Sequence, residues 1–83
     1  MKSTRYFSEQ VLRKRPYIDE AMCEGVVAAS LKHTVQQDSR VRHWGTVIDT
    51  RDGKERKLRV VTLDDGETLH NFFFDRDFWK DAP

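Results

Sequence analysis

Val41-Arg42-His43-Trp44-Gly45-Thr46-Val47-Ile48, Lys57-Leu58-Arg59-Val60-Val61-Thr62-Leu63 and Thr68-Leu69-His70-Asn71-Phe72-Phe73-Phe74 are three stretches rich in β-branched and aromatic residues. The breaks between them carry Asp52-Gly53 and Asp64-Asp65-Gly66. Glycine takes φ > 0 at no steric cost, and an adjacent aspartate hydrogen-bonds its own backbone, so each break predicts a hairpin turn. Lys32-His33-Thr34-Val35-Gln36 upstream reads as one more strand. Residues 32–74 therefore predict a four-stranded antiparallel meander.

Working outward toward the N-terminus, Tyr6 to Arg15 predicts a short helix with Ser8 as N-cap and Pro16 as its stop. In the next segment Ile18, Ala21, Met22, Gly25 and Val26 recur at helical spacing, with Asp19 and Glu20 placed to suit the helix dipole. This predicts an amphipathic helix over 17–28 whose Ile18, Met22 and Val26 lie on the sheet, with Cys23 semi-buried. The order of elements gives an α+β fold: two N-terminal helices packed on one face of the meander. Phe72-Phe73-Phe74 followed by Phe78-Trp79 is too apolar for a frayed tail, and is expected to close over the core.

The 83 residues make a single domain, and a chain of this size commits most of its apolar side chains to one core. With 37% hydrophobic and 35% charged residues of both signs, the composition is that of a folded domain. Cys23 is the lone cysteine and no apolar run reaches the length of a signal peptide or a membrane span. The expectation is a cytoplasmic protein with no membrane partner; the oligomeric state stays open. Although the net charge is only +1, the start carries Lys2, Arg5, Arg13, Lys14 and Arg15 against Glu9. The end is acidic. Binding to nucleic acid would therefore need a local patch rather than the field of the whole molecule.

Strand alternation supplies such a patch. With Val41, Val47, Leu58 and Val60 turned toward the helices, the opposite parity shows Thr34, Gln36, Arg40, Arg42, Trp44, Thr46, Lys57 and Arg59. Ile48, Val61 and Leu63 break the alternation and point to a bulge or a strand covered on both sides. Arginine forks bind phosphate, an indole stacks on a splayed base, and histidine moves a ribose hydroxyl proton. Arg40, Arg42, Trp44 and Lys57 are thus the candidate nucleic-acid contacts, Arg59 the candidate transition-state cation and His70 the candidate proton carrier. His43 shares parity with the inward valines and reads as a satisfied interior residue. The three histidines lie on different strands without short ligand spacing, so no metal site is expected, and this chemistry asks for no cofactor.

Two functional readings are open. One is RNA binding with ribonuclease activity; the other is a non-catalytic module that binds a protein partner through the sheet, with Trp44 as anchor. Cations on an exposed sheet face also serve simply to prevent strand-to-strand aggregation.

The start Ser8-Glu9-Gln10-Val11-Leu12, the helix from Tyr17 and the run Leu58-Arg59-Val60-Val61-Thr62-Leu63-Asp64-Asp65-Gly66 together resemble small bacterial helix-helix-meander proteins. These are domains allied to the BrnT toxins and, more distantly, to RelE-type ribonucleases. The resemblance implies a compact RNA-cleaving toxin whose sheet is covered by an antitoxin, with a basic residue after the last strand matched by Arg76. Gln10 stands where many members carry a histidine, which implies a chain that has kept binding and lost catalysis.

Overall fold

The computed structural model describes residues 1–76. The expected closing turn with Phe78 and Trp79 lies outside the described residues. Two short helical elements precede four strands: α1, a π-helical stretch Phe7–Val11 continued by an α-helical turn Leu12–Lys14; α2, Glu20–Ala28; β1, Lys32–Val35; β2, Val41–Asp49; β3, Lys54–Thr62; and β4, Leu69–Phe74. The sheet runs β1-β2-β3-β4 with every neighbour antiparallel, the α+β meander expected from the turn chemistry. Gly53 and Gly66 occupy the tips at φ 72° and 70°, where a Cβ would be strained.

Both helices depart from expectation at their starts. Thr4 rather than Ser8 caps α1, its Oγ1 accepting from the Phe7 N–H at 3.1 Å. Ser8 lies inside the helix, where its hydroxyl turns back to the Arg5 carbonyl. Helix α2 begins at Glu20 because extended Asp19 caps it, its carboxylate accepting from the Met22 N–H at 2.8 Å. Tyr17, excluded from the helix, stacks on Phe74 at 5.9 Å with an interplanar angle of 13°. Strand β3 starts at Lys54, ahead of the expected Lys57. Lys54-Glu55-Arg56 shows no apolar alternation, but the turn before it sets the register and pairs these residues with Asp49, Ile48 and Val47.

The core lies between the helices and one sheet face. Phe7, Val11, Ile18, Cys23 and Val26 from the helical half pack against Val47, Leu58, Val60, Leu69 and Phe72. Cys23 is fully buried rather than semi-buried, while Met22 sits at the margin. Phe7 and Phe72 meet edge to face at 5.8 Å, joining α1 to β4. Helix α2 comes close to β2 at Gly45, where an added Cβ would lie 3.1 Å from Val26 Cγ2. Asp49 is wholly buried at the far end of β2 and accepts from Arg51 at 2.7 Å and Arg56 at 2.9 Å. Arg51 in turn lies 3.7 Å from the centre of the Tyr17 ring, so one buried carboxylate ties the β2–β3 hairpin to the segment before α2. No helix among the described residues is long and apolar enough to cross a membrane.

Candidate nucleic-acid interface

The sheet face opposite the helices carries the expected basic set, because the register places Arg42 beside Val61, Trp44 beside Arg59 and Thr46 beside Lys57. A bulge then changes one edge. Val61 pairs with Asn71 but Thr62 pairs with Leu69, leaving His70 as the extra residue of β4. An unpaired bulge residue is free to re-aim its side chain. The chain start fixes that aim: Leu69 N–H donates to the Lys2 carbonyl and Thr4 N–H to the Leu69 carbonyl, both at 2.8 Å. Thr4 Oγ1 consequently lies 3.0 Å from His70 Nδ1, and the Tyr6 ring lies 5.1 Å from the imidazole.

The result is an open basin of about 440 Å³ that brings Arg40, Arg42, Arg59 and His70 together with Tyr6, Asp38, Asn71 and Phe73, over Val61. Each arginine is held differently. Arg40 faces Asp38 at 3.6 Å, with both side chains about half exposed. Arg42 donates from Nε and Nη2 to the Gln36 carboxamide, turned so that its oxygen faces the guanidinium. Arg59 lies over the Phe73 ring at 3.8 Å, and its buried Nε has no hydrogen-bond partner among the described residues. Burial draws the Arg59 pKa down; Asp75 opposes that shift and Arg42 adds to it. The guanidinium remains a cation at pH 7. Among the described residues lining the basin, three arginines stand against one carboxylate, Asp38, while Asp75 acts on Arg59 from outside the lining.

Burial and then Arg40 lower the His70 pKa below the ordinary histidine value while Asp38 opposes them, a balance that favours the neutral imidazole. The Thr4 hydroxyl serves either tautomer, accepting from Nδ1–H or donating to bare Nδ1. In the first arrangement Nε2 carries a lone pair and can take a proton.

The remaining candidates lie elsewhere or are already engaged. Trp44 is on the open face as expected, but only 6% exposed, and its Nε1–H donates to Asp75 at 2.7 Å. It cannot offer a bare ring for stacking or partner docking. Lys57 is also buried and donates to Thr46 Oγ1. Arg76 lies apart from the basin, in a cleft with Arg51, Arg56 and Asp75. His43 is the satisfied interior residue expected from its parity, with Ser30 Oγ at 3.2 Å from Nδ1 and Thr62 Oγ1 at 3.0 Å from Nε2. Thr4 and Tyr6 escaped sequence reasoning as site residues because Thr4 precedes the first predicted helix, Tyr6 reads only as the first residue of that helix, and nothing local links either to a residue more than sixty positions away.

The fold and its basin define a small α+β meander protein with a cationic, histidine-bearing sheet face. In comparisons with known proteins no family model, no curated protein and no solved structure matches the chain.

Proposed function

We propose that this protein binds RNA in the basin and acts on it as a toxin-like ribonuclease that needs no metal. The observation that carries this reading is the convergence of Arg40, Arg42 and Arg59 on one concavity that His70 also lines. In the proposed reaction the arginines hold the phosphate, and His70 Nε2 accepts the ribose 2′-hydroxyl proton. The 2′-oxygen forms a bond to phosphorus as the bond to the 5′-oxygen breaks, and that oxygen takes a proton from solvent. A 2′,3′-cyclic phosphate and a 5′-hydroxyl end result. Arg59, whose side chain is partly buried over the Phe73 ring, is the cation best placed to stabilise the charge that develops on phosphorus.

The test measures binding of a short RNA as salt is raised. Three phosphate contacts on a single strand give a log–log slope of about −2, so affinity falls about 20-fold between 50 and 200 mM salt, and Arg42→Gln removes about 0.7 from the slope. Cyclic phosphate ends should form with wild-type protein and vanish with His70→Ala. A flat salt response refutes RNA binding; salt-dependent binding without cleavage refutes the ribonuclease.

A second reading, a protein-interaction module, is favoured by a different surface from the one expected. Strand β1 pairs with β2 only as far as Trp44, so the outer edge of β2 beyond it has no strand neighbour among the described residues, and Ile48 there is 50% exposed. Harmless accumulation of the protein on induced expression, without growth arrest or RNA decay, is the outcome this module predicts.

A further inference from the structure

We infer that the ligand of the basin is single-stranded RNA, held with one unpaired base stacked on Tyr6; this specificity rests on the RNA reading above. Tyr6 is 47% exposed, although its neighbour Phe7 is fully buried and anchors the segment. Among the described residues the ring contact of Tyr6 is with His70, and the rest of this half-exposed ring stands at the rim of the cationic basin. Its position is fixed from two sides: Thr4 caps the turn that carries it, and its ring lies against His70 at 5.1 Å with a 35° tilt. A platform held in this way loses little freedom when a base lies on it.

The neighbouring groups suit the nucleotide such a base belongs to. Asn71 spends its Oδ1 on the Phe72 N–H at 2.8 Å, which leaves its carboxamide nitrogen without a partner among the described residues and able to donate to a base edge. The phosphate next to that base falls toward Arg42 and Arg59, and the ribose between them falls toward His70. A duplex cannot make this arrangement. Its bases are stacked on both faces, and its strands present mainly phosphates and 2′-hydroxyls to a protein. Recognition through an aromatic platform is therefore recognition of single strands, tolerant of sequence because every base has a π face.

The experiment compares fluorescence anisotropy titrations of a ten-nucleotide unstructured RNA and of a blunt RNA duplex of the same strand, with wild-type protein and with Tyr6→Ala, Tyr6→Phe and Tyr6→Leu. Circular dichroism melts establish that each variant is folded, as expected for an exposed position. Wild type should bind the single strand at least about tenfold more tightly than the duplex. Tyr6→Ala and Tyr6→Leu should each lose about tenfold on the single strand and nothing on the duplex, whereas Tyr6→Phe keeps wild-type affinity. Salt-dependent binding that is equal for the two RNAs, or indifferent to Tyr6→Ala, overturns the stacking inference while leaving RNA binding standing. Absence of salt-dependent binding to either RNA overturns both. A Tyr6→Leu variant as tight as wild type overturns the aromatic platform and assigns Tyr6 a packing role.

Discussion

Replacing Gly45 with alanine should destabilise this protein by about 1–2 kcal/mol, against the usual preference for alanine over glycine in a strand. The new Cβ would meet Val26 Cγ2 at 3.1 Å and Cγ1 at 3.3 Å, and the Val26 Cα at 3.4 Å means that turning the valine side chain alone does not clear the site. Val26 is itself 3% exposed and packed in the core, at the floor of the groove between α2 and the outer edge of β2. The overpacking term, about 1–3 kcal/mol, exceeds the gain of about 0.5–1 kcal/mol from removing a strand glycine. Val26→Ala alone removes both offending methyls and leaves a cavity, at a cost of about 2–3 kcal/mol. In the double variant the alanine at 45 enters the space that the valine vacated, so the clash disappears and the cavity partly fills. Independent effects would predict a loss of about 4 kcal/mol for the pair; the contact predicts about 2, a favourable coupling of about 2 kcal/mol. Urea unfolding of the four proteins, with equal m-values as the check on two-state behaviour, measures the cycle. Additivity within about 0.5 kcal/mol would refute the close approach of α2 to β2, and with it the packing that leaves the opposite sheet face open.

Lowering the pH should weaken the fold through His43. Burial, and then the nearby His33, lower its folded pKa, so the unfolded chain takes up the proton first. Stability is full above the unfolded pKa of about 6.5 and is lost as pH falls from there through the lower folded value; urea midpoints at pH 7.5 and 5.5 should differ, and less so in His43→Gln. Ser39→Gly should raise stability by about 0.5–1 kcal/mol, since Ser39 holds φ 71° in the β1–β2 turn and glycine relieves it; a lower thermal midpoint would contradict the turn geometry. Cys23 should resist iodoacetamide in the native protein at pH 8, because burial, reinforced by Asp19, Glu20 and Glu24, pushes its thiol up to about 12. Rapid native-state labelling, read by mass spectrometry, would place that side chain outside the core.

The meander was legible because its information is local. Aspartate–glycine pairs bend the chain whatever surrounds them, and a period of two sends Val41, Val47, Leu58 and Val60 to one face and Arg42, Trp44, Lys57 and Arg59 to the other. Boundaries were legible where apolar residues mark them, and not at Lys54-Glu55-Arg56, whose strand conformation comes from pairing with β2. A basic sheet face could thus be read from the chain alone, but parity states only which side a residue takes. Tertiary structure decided what became of it there: Trp44 and Asp75 joined across the sheet, which removed the indole from solvent, and Lys57 was covered beside Thr46. It also decided the buried place of Asp49, where two arginines compensate a charge that sequence pattern would assign to water. The basin itself depends on contacts between the two ends of the chain. A bulge opposite Thr62 frees His70, and residues 2–4 lie down beside Leu69 to bring Thr4 and Tyr6 to the imidazole. No short-range pattern encodes that meeting, because it exists only once the core has drawn Phe7 against Phe72.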